Sequence, residues 1–209
     1  KAGAGTINLS GVAAYTGATT INGGTLAISG SGTISAASAI GVNNTGTLRF
    51  DRNDTWGGHT TTTTSAITVH QGGTLETNNT YNTIVDLTLD WGTVLLNGGA
   101  NGTYPALALK GTVSVTEDSS INVGSGSNNK INLSRSNETA TEFDVAVGKE
   151  LVVNAELQNN NPAPSGLVKR GDGTLTLGGA SYTGLTTVNK GTLSLGSANF
   201  GRGAFTVND

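Results

Sequence analysis

The sequence predicts an all-β protein, a right-handed parallel β-helix (β-solenoid), and three observations lead to that prediction. The dipeptide Gly-Thr recurs in front of aliphatic residues along the whole chain. Apolar and small polar residues then alternate with a period of two, which is the pattern of a half-buried strand. No stretch has the period of 3.6 residues that an amphipathic helix requires.

The Gly-Thr dipeptides set the expected length of one coil. They begin at Gly5, Gly24, Gly32, Gly46, Gly73, Gly92, Gly111, Gly173 and Gly191. Several successive starts are 18 or 19 residues apart, so we expect about 19 residues per coil and about 11 coils in the 209-residue chain. With strands about 4.8 Å apart along the axis, the rod would be about 50 Å long.

The aliphatic residues after each Gly-Thr are expected to form the core. A four-residue strand cannot bury an apolar face alone, so each coil should stack its leucine on that of the next coil. The leucines expected to point inward are Leu9, Leu26, Leu75, Leu175, Leu177, Leu193 and Leu195. The glycines are expected at sharp bends, where a residue without Cβ enters the left-handed region without strain, and the threonines on the outer face.

Composition excludes several classes of function. The chain has 32 Gly and 3 Pro, and its formal net charge is −3. The basic residues are scattered, so we expect no nucleic-acid partner. The absence of cysteine excludes disulfides, thiolate metal sites and cysteine nucleophiles. No apolar run approaches the about 18 residues of a membrane helix, so we expect no direct membrane insertion by this segment.

Residues 167–193 read LVKRGDGTLTLGGASYTGLTTVNKGTL. This segment closely resembles the autotransporter-associated β-strand repeat, also called the passenger-associated transport repeat, whose pattern runs roughly K-x-G-x-G-T-L, then Y-T-G, then G-T-L. Residues 1–28 resemble it too, with one residue inserted before the tyrosine. The residues that carry the pattern in the two copies are Gly5, Thr6, Tyr15, Gly17, Gly24, Thr25, Leu26, Gly173, Thr174, Leu175, Tyr182, Gly184, Gly191, Thr192 and Leu193.

The resemblance implies a β-helical passenger of a secreted or surface-displayed bacterial protein. It implies that the repeat assists folding and passage across the outer membrane, and it carries over no catalytic residue and no cofactor. We expect one β-helix segment over 1–209, with clear repeat copies at 1–28 and 167–195 and divergent coils with loops over 34–166. Because the sequence starts inside a repeat unit, we expect it to be part of a longer chain.

Residues 49–65 interrupt the repeat and concentrate side chains that could bind a ligand. Loops that interrupt a rigid scaffold often carry function. The candidates for binding are Arg49, Asp51, Asp54, Trp56 and His59. The alternative is a solvated loop between coils in which the tryptophan covers a core edge. Asp51, Asn53 and Asp54 could also offer oxygens to Ca²⁺, but the glycine and closing glutamate of an EF-hand are missing, so no metal site is predicted.

A second group of candidates is Asp86, Asp90 and Trp91. Paired carboxylates can act as acid and base on sugars, and β-helices do carry polysaccharide lyases and hydrolases. The alternation instead favours both carboxylates on the outer surface, because Leu87 and Leu89 then point inward. The aromatic residues Trp56, Tyr81, Trp91 and Tyr104 could stack on glycans or simply pack at core edges.

These patterns favour a structural or adhesive stalk without catalytic activity or cofactor over a polysaccharide-binding or polysaccharide-degrading enzyme. The partners that we expect are further copies of the chain, end to end or side by side, and a host-surface or glycan ligand. An amphipathic capping helix is lacking at both ends of the sequence, and open solenoid ends favour such stacking or continuation into further coils.

Overall fold

The computed structural model describes residues 1–57, 61, 63–134, 140–160, 163–196 and 203–208. In this part of the chain the only helical element is a 3₁₀ turn at Ala100–Gly102. The strands, in chain order, are β1 (Thr6–Leu9), β2 (Val12–Ala13), β3 (Thr19–Ile28), β4 (Thr33–Ile34), β5 (Ile40–Phe50), β6 (Ile67–Val69), β7 (Thr74–Asn78), β8 (Asn82–Ile84), β9 (Leu87–Leu89), β10 (Thr93–Asn97), β11 (Leu107–Leu109), β12 (Thr112–Val115), β13 (Ser119–Val123), β14 (Lys130–Leu133), β15 (Thr141–Val145), β16 (Glu150–Gln158), β17 (Leu167–Arg170), β18 (Thr174–Ala180), β19 (Thr186–Val188), β20 (Thr192–Leu195) and β21 (Phe205–Val207).

The strands pair in parallel and form three ladders, as the predicted β-solenoid requires. Ladder A contains β1, β7, β10, β13 and β20; ladder B contains β6, β9, β12, β15, β17, β19 and β21; ladder C contains β8, β11 and β14, with the short pair β2 and β4 on the same side of the first coils. The long strands β3 and β5 bend from ladder B into ladder A, and β16 and β18 bend from ladder A into ladder C. The all-β solenoid class is confirmed, and its right-handed sense stays a prediction.

Coil length differs from the prediction. One core column of ladder A runs through Ile7, Leu26, Leu48, Leu75, Val94, Ile121, Val153, Leu177 and Leu195. Neighbours in this column are 18 to 32 residues apart, and its nine positions span about 38 Å along the axis. A uniform coil of about 19 residues and a count of about 11 are therefore wrong for the described residues. The step from Gly92 to Gly111 misled that count, because the strand after Gly92 lies in ladder A and the strand after Gly111 lies in ladder B.

The core contains the leucines that the alternation placed inside. Leu26, Leu75, Leu175 and Leu177 are buried, and Leu9 and Leu193 are half-buried against the same cluster. Leu195 is 41% exposed, although it shares the core column, because it lies in the last rung of ladder A that the structure describes. Ladder B adds a column that passes from Ile40 through Ile67, Leu87, Val113 and Phe143 to Lys169 and Val188.

The glycine of each Gly-Thr is needed mainly for close stacking. A Cβ at Gly73 would lie 2.3 Å from the carbonyl oxygen of Val42, one coil away, and Gly92 makes an equally close approach to Val69. Gly24 and Gly191 also have positive φ, as predicted from the bends, whereas Gly73 and Gly92 do not. The expectation that left-handed backbone explains all of these glycines is therefore wrong, because close contact with the adjacent coil excludes a Cβ at most of them.

Candidate functional site

The lysine that opens each repeat copy binds backbone carbonyls at a turn. Lys169 is fully buried, and its Nζ donates to the carbonyl oxygens of Arg170 at 2.5 Å, Gly171 at 2.8 Å and Lys190 at 3.3 Å. Lys1 does the same with Gly3 at 2.6 Å and Gly23 at 2.7 Å, which are the matching positions of the first copy. Each repeat lysine therefore links the turn of its own coil to the turn of the next.

Burial lowers the pKa of Lys169 from its ordinary value, and the charges of Asp144 and Asp172 oppose that shift. Lys169 was not among the candidates predicted from the sequence. The available signal was the alternation in β17, where Leu167 and Lys169 fall on the same, inward face.

The tyrosine of the repeat fixes a corner. Tyr182 Oη lies 2.7 Å from Oγ1 of Thr186, the first residue of β19, and Tyr15 Oη lies 2.8 Å from Oγ1 of Thr19, the first residue of β3. Burial raises the pKa of Tyr182, and the hydrogen bond to Thr186 partly offsets this. The Tyr-Thr-Gly of each copy thus ties the end of one coil to the start of the next strand in ladder B.

In the interrupting segment, Arg49 and Asp51 pair with each other. Arg49 donates from Nε and Nη2 to the two carboxylate oxygens of Asp51 at 2.8 Å each, and Asn78 Nδ2 donates to Asp51 Oδ1 at 2.8 Å. Burial acts to raise the pKa of Asp51, but the hydrogen bonds from Arg49 and Asn78 outweigh it and the net pKa is lowered. The bidentate pair lies within one coil, and the hydrogen bond from Asn78 links it to the next coil. Both charged groups are therefore engaged within the protein.

Trp56 packs on the core, as the alternative interpretation predicted. Its ring meets Phe50 edge to face at 5.7 Å, and its Nε1 donates to the carbonyl oxygen of Ile34 at 2.8 Å. Asp54 lies apart from this contact, at a turn where its backbone N–H donates to the carbonyl oxygen of Tyr81. His59 lies outside the described residues.

Asp86 and Asp90 have different surroundings and do not form a matched acid–base pair. They flank β9, and Asp86 is exposed. Asp90 Oδ2 lies 2.9 Å from Nδ1 of His70, a residue that the sequence analysis did not single out. Trp91 is 47% exposed, and the Nζ of Lys149 lies 5.9 Å from its ring centroid. Both carboxylates lie outward of the buried Leu87 and Leu89, as expected from the alternation.

A concave part of the described surface lies on the outer face of ladder C. A groove of about 550 Å³ is lined by Asn53, Asp54, Tyr81, Ala100, Thr103, Tyr104, Pro105, Asn132, Gln158, Asn159 and Asn160. The sequence analysis named Tyr81 and Tyr104 as possible glycan-stacking residues, and the structure brings them together at a ring distance of 6.4 Å. The sequence does not predict that four amide side chains meet in this groove, because they come from two different coils. These residues are Asn132, Gln158, Asn159 and Asn160.

The described residues hold no group of three or more His, Asp or Glu side chains arranged to bind a metal ion. In the same part of the chain, no helix is long and apolar enough to cross a membrane. Most of the acidic residues that pair with a base do so within ladders or across corners, such as Glu142 with Arg170 at 2.8 Å and Glu156 with Lys130 at 2.9 Å.

The fold and its surface define a class of protein, a parallel β-solenoid with a polar groove on one face. Comparison with known families then identifies two segments: residues 1–28 and 167–195 match the passenger-associated-transport-repeat family. The two matches cover just over a quarter of the chain, and they are consistent with repeats of autotransporter passengers. The repeat family implies a secreted or surface-exported protein. No curated protein and no solved structure matches the chain significantly.

Proposed function

We propose that this segment is a non-catalytic stalk in a secreted or surface-displayed bacterial passenger protein, and that its repeats aid folding and export. The observation that carries the proposal is the pair of carbonyl-binding lysines, Lys1 and Lys169, at equivalent places in the two repeats. Both lysines link two coils, Lys169 from a buried position and Lys1 from a half-buried one, and such a link stabilises a rod. The hydrogen bonds of Tyr15 and Tyr182 act in the same way at the corners.

The rival function is a polysaccharide-degrading enzyme on the same rod. It is less well supported, because Asp90 is engaged by His70 and Thr116 while Asp86 stands at the other end of β9. The test is incubation of the purified chain with pectin and alginate, followed by measurement of reducing ends and of unsaturated products. We expect no turnover. Product release that disappears in Asp86→Ala or Asp90→Ala would refute the non-catalytic stalk and support an enzyme.

We propose further that copies of the segment associate end to end. Apolar side chains are exposed in the outermost coils that the structure describes, with Ile7 49%, Phe205 50% and Val207 72% exposed. Sedimentation velocity over a concentration series tests this proposal, and we expect the weight-average mass to rise with concentration. The variant Phe205→Lys should suppress the rise, while Val147→Lys, a matched change at an exposed residue on the side of the rod, should not. A compact monomer at every concentration would refute end-to-end association.

A further inference from the structure

The groove on ladder C exists because a loop folds over the outer face of the sheet. Residues 98–106 connect β10 to β11, and the buried cluster of Tyr81, Ala100 and Ala108 attaches this loop to the strands beneath it. Backbone N–H of Gly99 donates to the carbonyl oxygen of Ser127 at 2.9 Å, which anchors the loop to the next coil. One wall of the groove is therefore held in place before any ligand arrives.

Amide side chains line the floor of the groove in register. Asn132 and Gln158 are neighbours in the outward column of ladder C, and Gln158 Nε2 donates to Asn132 Oδ1 at 2.9 Å. Asn132 Nδ2 in turn approaches Asn160 Oδ1 at 3.4 Å. A primary amide both donates and accepts, which matches the mixed donor and acceptor character of a hydroxyl group.

Asn160, at the edge of the amide floor, carries a donor that the described residues leave unsatisfied. Its side chain is 3% exposed, and its Nδ2 has no hydrogen-bond acceptor among the described residues. A buried donor without an acceptor is costly, and such groups are rare in folded proteins. The atom has less than 1 Å² of accessible surface, so a ligand hydroxyl would satisfy this donor only after the amide turns towards the groove.

The aromatic residues and the charge define the class of ligand. Tyr104 is 59% exposed and lies 6.4 Å from the buried Tyr81 with the ring planes tilted by 35°, so Tyr104 offers an apolar face with a polar edge and Tyr81 supports it from beneath. Among the described residues, the lining holds one carboxylate, from Asp54, and no lysine or arginine, which disfavours an anionic ligand. Lys130, which neighbours the groove in ladder C, is paired with Glu156 at 2.9 Å.

We propose that this groove binds a neutral saccharide, with a sugar ring stacked on Tyr104 and its hydroxyl groups bonded to the amides of Asn132, Gln158 and Asn160. The volume of about 550 Å³ lies in the range of small-ligand sites. The proposal does not depend on the stalk function, because the groove residues lie outside both repeat copies. It identifies a binding surface on the side of the rod, where many copies along a cell surface would act together.

The test is isothermal titration calorimetry of the whole chain with cellotetraose, maltotetraose, laminaritetraose and chitotetraose, and with tetragalacturonate as the anionic comparison. We expect saturable binding of at least one neutral tetrasaccharide and weaker or no binding of tetragalacturonate. Tyr104→Ala should weaken binding by about 10-fold, because it removes the stacking surface. Tyr15→Ala, the same change at an exposed tyrosine outside the groove, should leave binding unchanged.

Asn160→Leu keeps the size of the side chain and removes the spare donor, and it should also weaken binding. Circular dichroism verifies that each variant is folded, and Tyr104→Ala alone decides the matter if Asn160→Leu does not fold. Absence of binding to all four neutral tetrasaccharides, equal affinity in Tyr104→Ala, or tighter binding of tetragalacturonate would each overturn the proposal.

Discussion

Replacement of Lys169 by methionine tests the role of the repeat lysine most directly. Methionine fits the column between Phe143 and Val188, but it cannot donate to the three carbonyls that the ammonium group now satisfies. Each hydrogen bond to a charged group contributes about 1.5 to 3 kcal/mol. The change also removes the cost of burying an ammonium group, which is several kcal/mol. The balance is an expected loss of about 2 to 4 kcal/mol in unfolding free energy, because three part-buried carbonyl oxygens lose a charged donor.

Urea unfolding followed by far-ultraviolet circular dichroism measures this loss through the midpoint and the m-value. The matched control is Lys190→Met, on the same turn but exposed, which should change stability by less than about 0.5 kcal/mol. An unfolding free energy of Lys169→Met equal to or above that of the parent would refute the reasoning, since a buried charge replaced by an apolar group is stabilising where its hydrogen bonds are weak.

The same residue predicts a dependence on pH. The folded pKa of Lys169 is lowered by burial, so between that value and the ordinary 10.5 the unfolded chain binds more protons than the folded one. The unfolding free energy contributed by Lys169 therefore rises with pH through this window and is constant below it. Because Tyr182 and Lys149 titrate at neighbouring pH values with raised pKa, the measurement is the difference between the parent and Lys169→Met. A difference that falls with increasing pH towards 10.5 would contradict the burial argument.

Two further substitutions test the fold. Leu175→Asp places an unpaired carboxylate in the core column and should cost at least about 3 kcal/mol, seen as a lower melting temperature; a variant that melts with the parent would contradict the inward placement of this leucine. Gly73→Ala forces a Cβ against the adjacent coil and should cost about 1 to 3 kcal/mol, whereas Gly5→Ala, at the same motif position with open space around it, should change stability by less than about 0.5 kcal/mol. Equal midpoints for the two alanine variants would show that stacking does not explain the glycine.

The sequence by itself determined the class of the fold and the inward face of its strands. Alternation places side chains on two opposite faces whatever the rest of the chain does, so Leu175 and Leu177 were predictable from four residues. The repeat pattern likewise identified the segments 1–28 and 167–195, since it is carried by residues close together in the chain. The pairing register between coils can shift by two residues without changing which side chains face inward. Leu175 and Ile7 share a motif position but stand in columns two residues apart, which keeps both on the same face.

Only the tertiary structure decided the length of each coil and the position of the groove. Loops between strands vary freely in length because the ladders fix only the strands, so a spacing of 19 residues could not be extended to every coil. Tyr81, Tyr104, Asn132 and Gln158 meet because successive coils stack about 4.8 Å apart, and residues separated by more than 20 positions become neighbours. Lys169 depends on both levels of structure. The alternation of the strand points its side chain inward, but the carbonyl oxygens that accept its hydrogen bonds come together only when two turns stack.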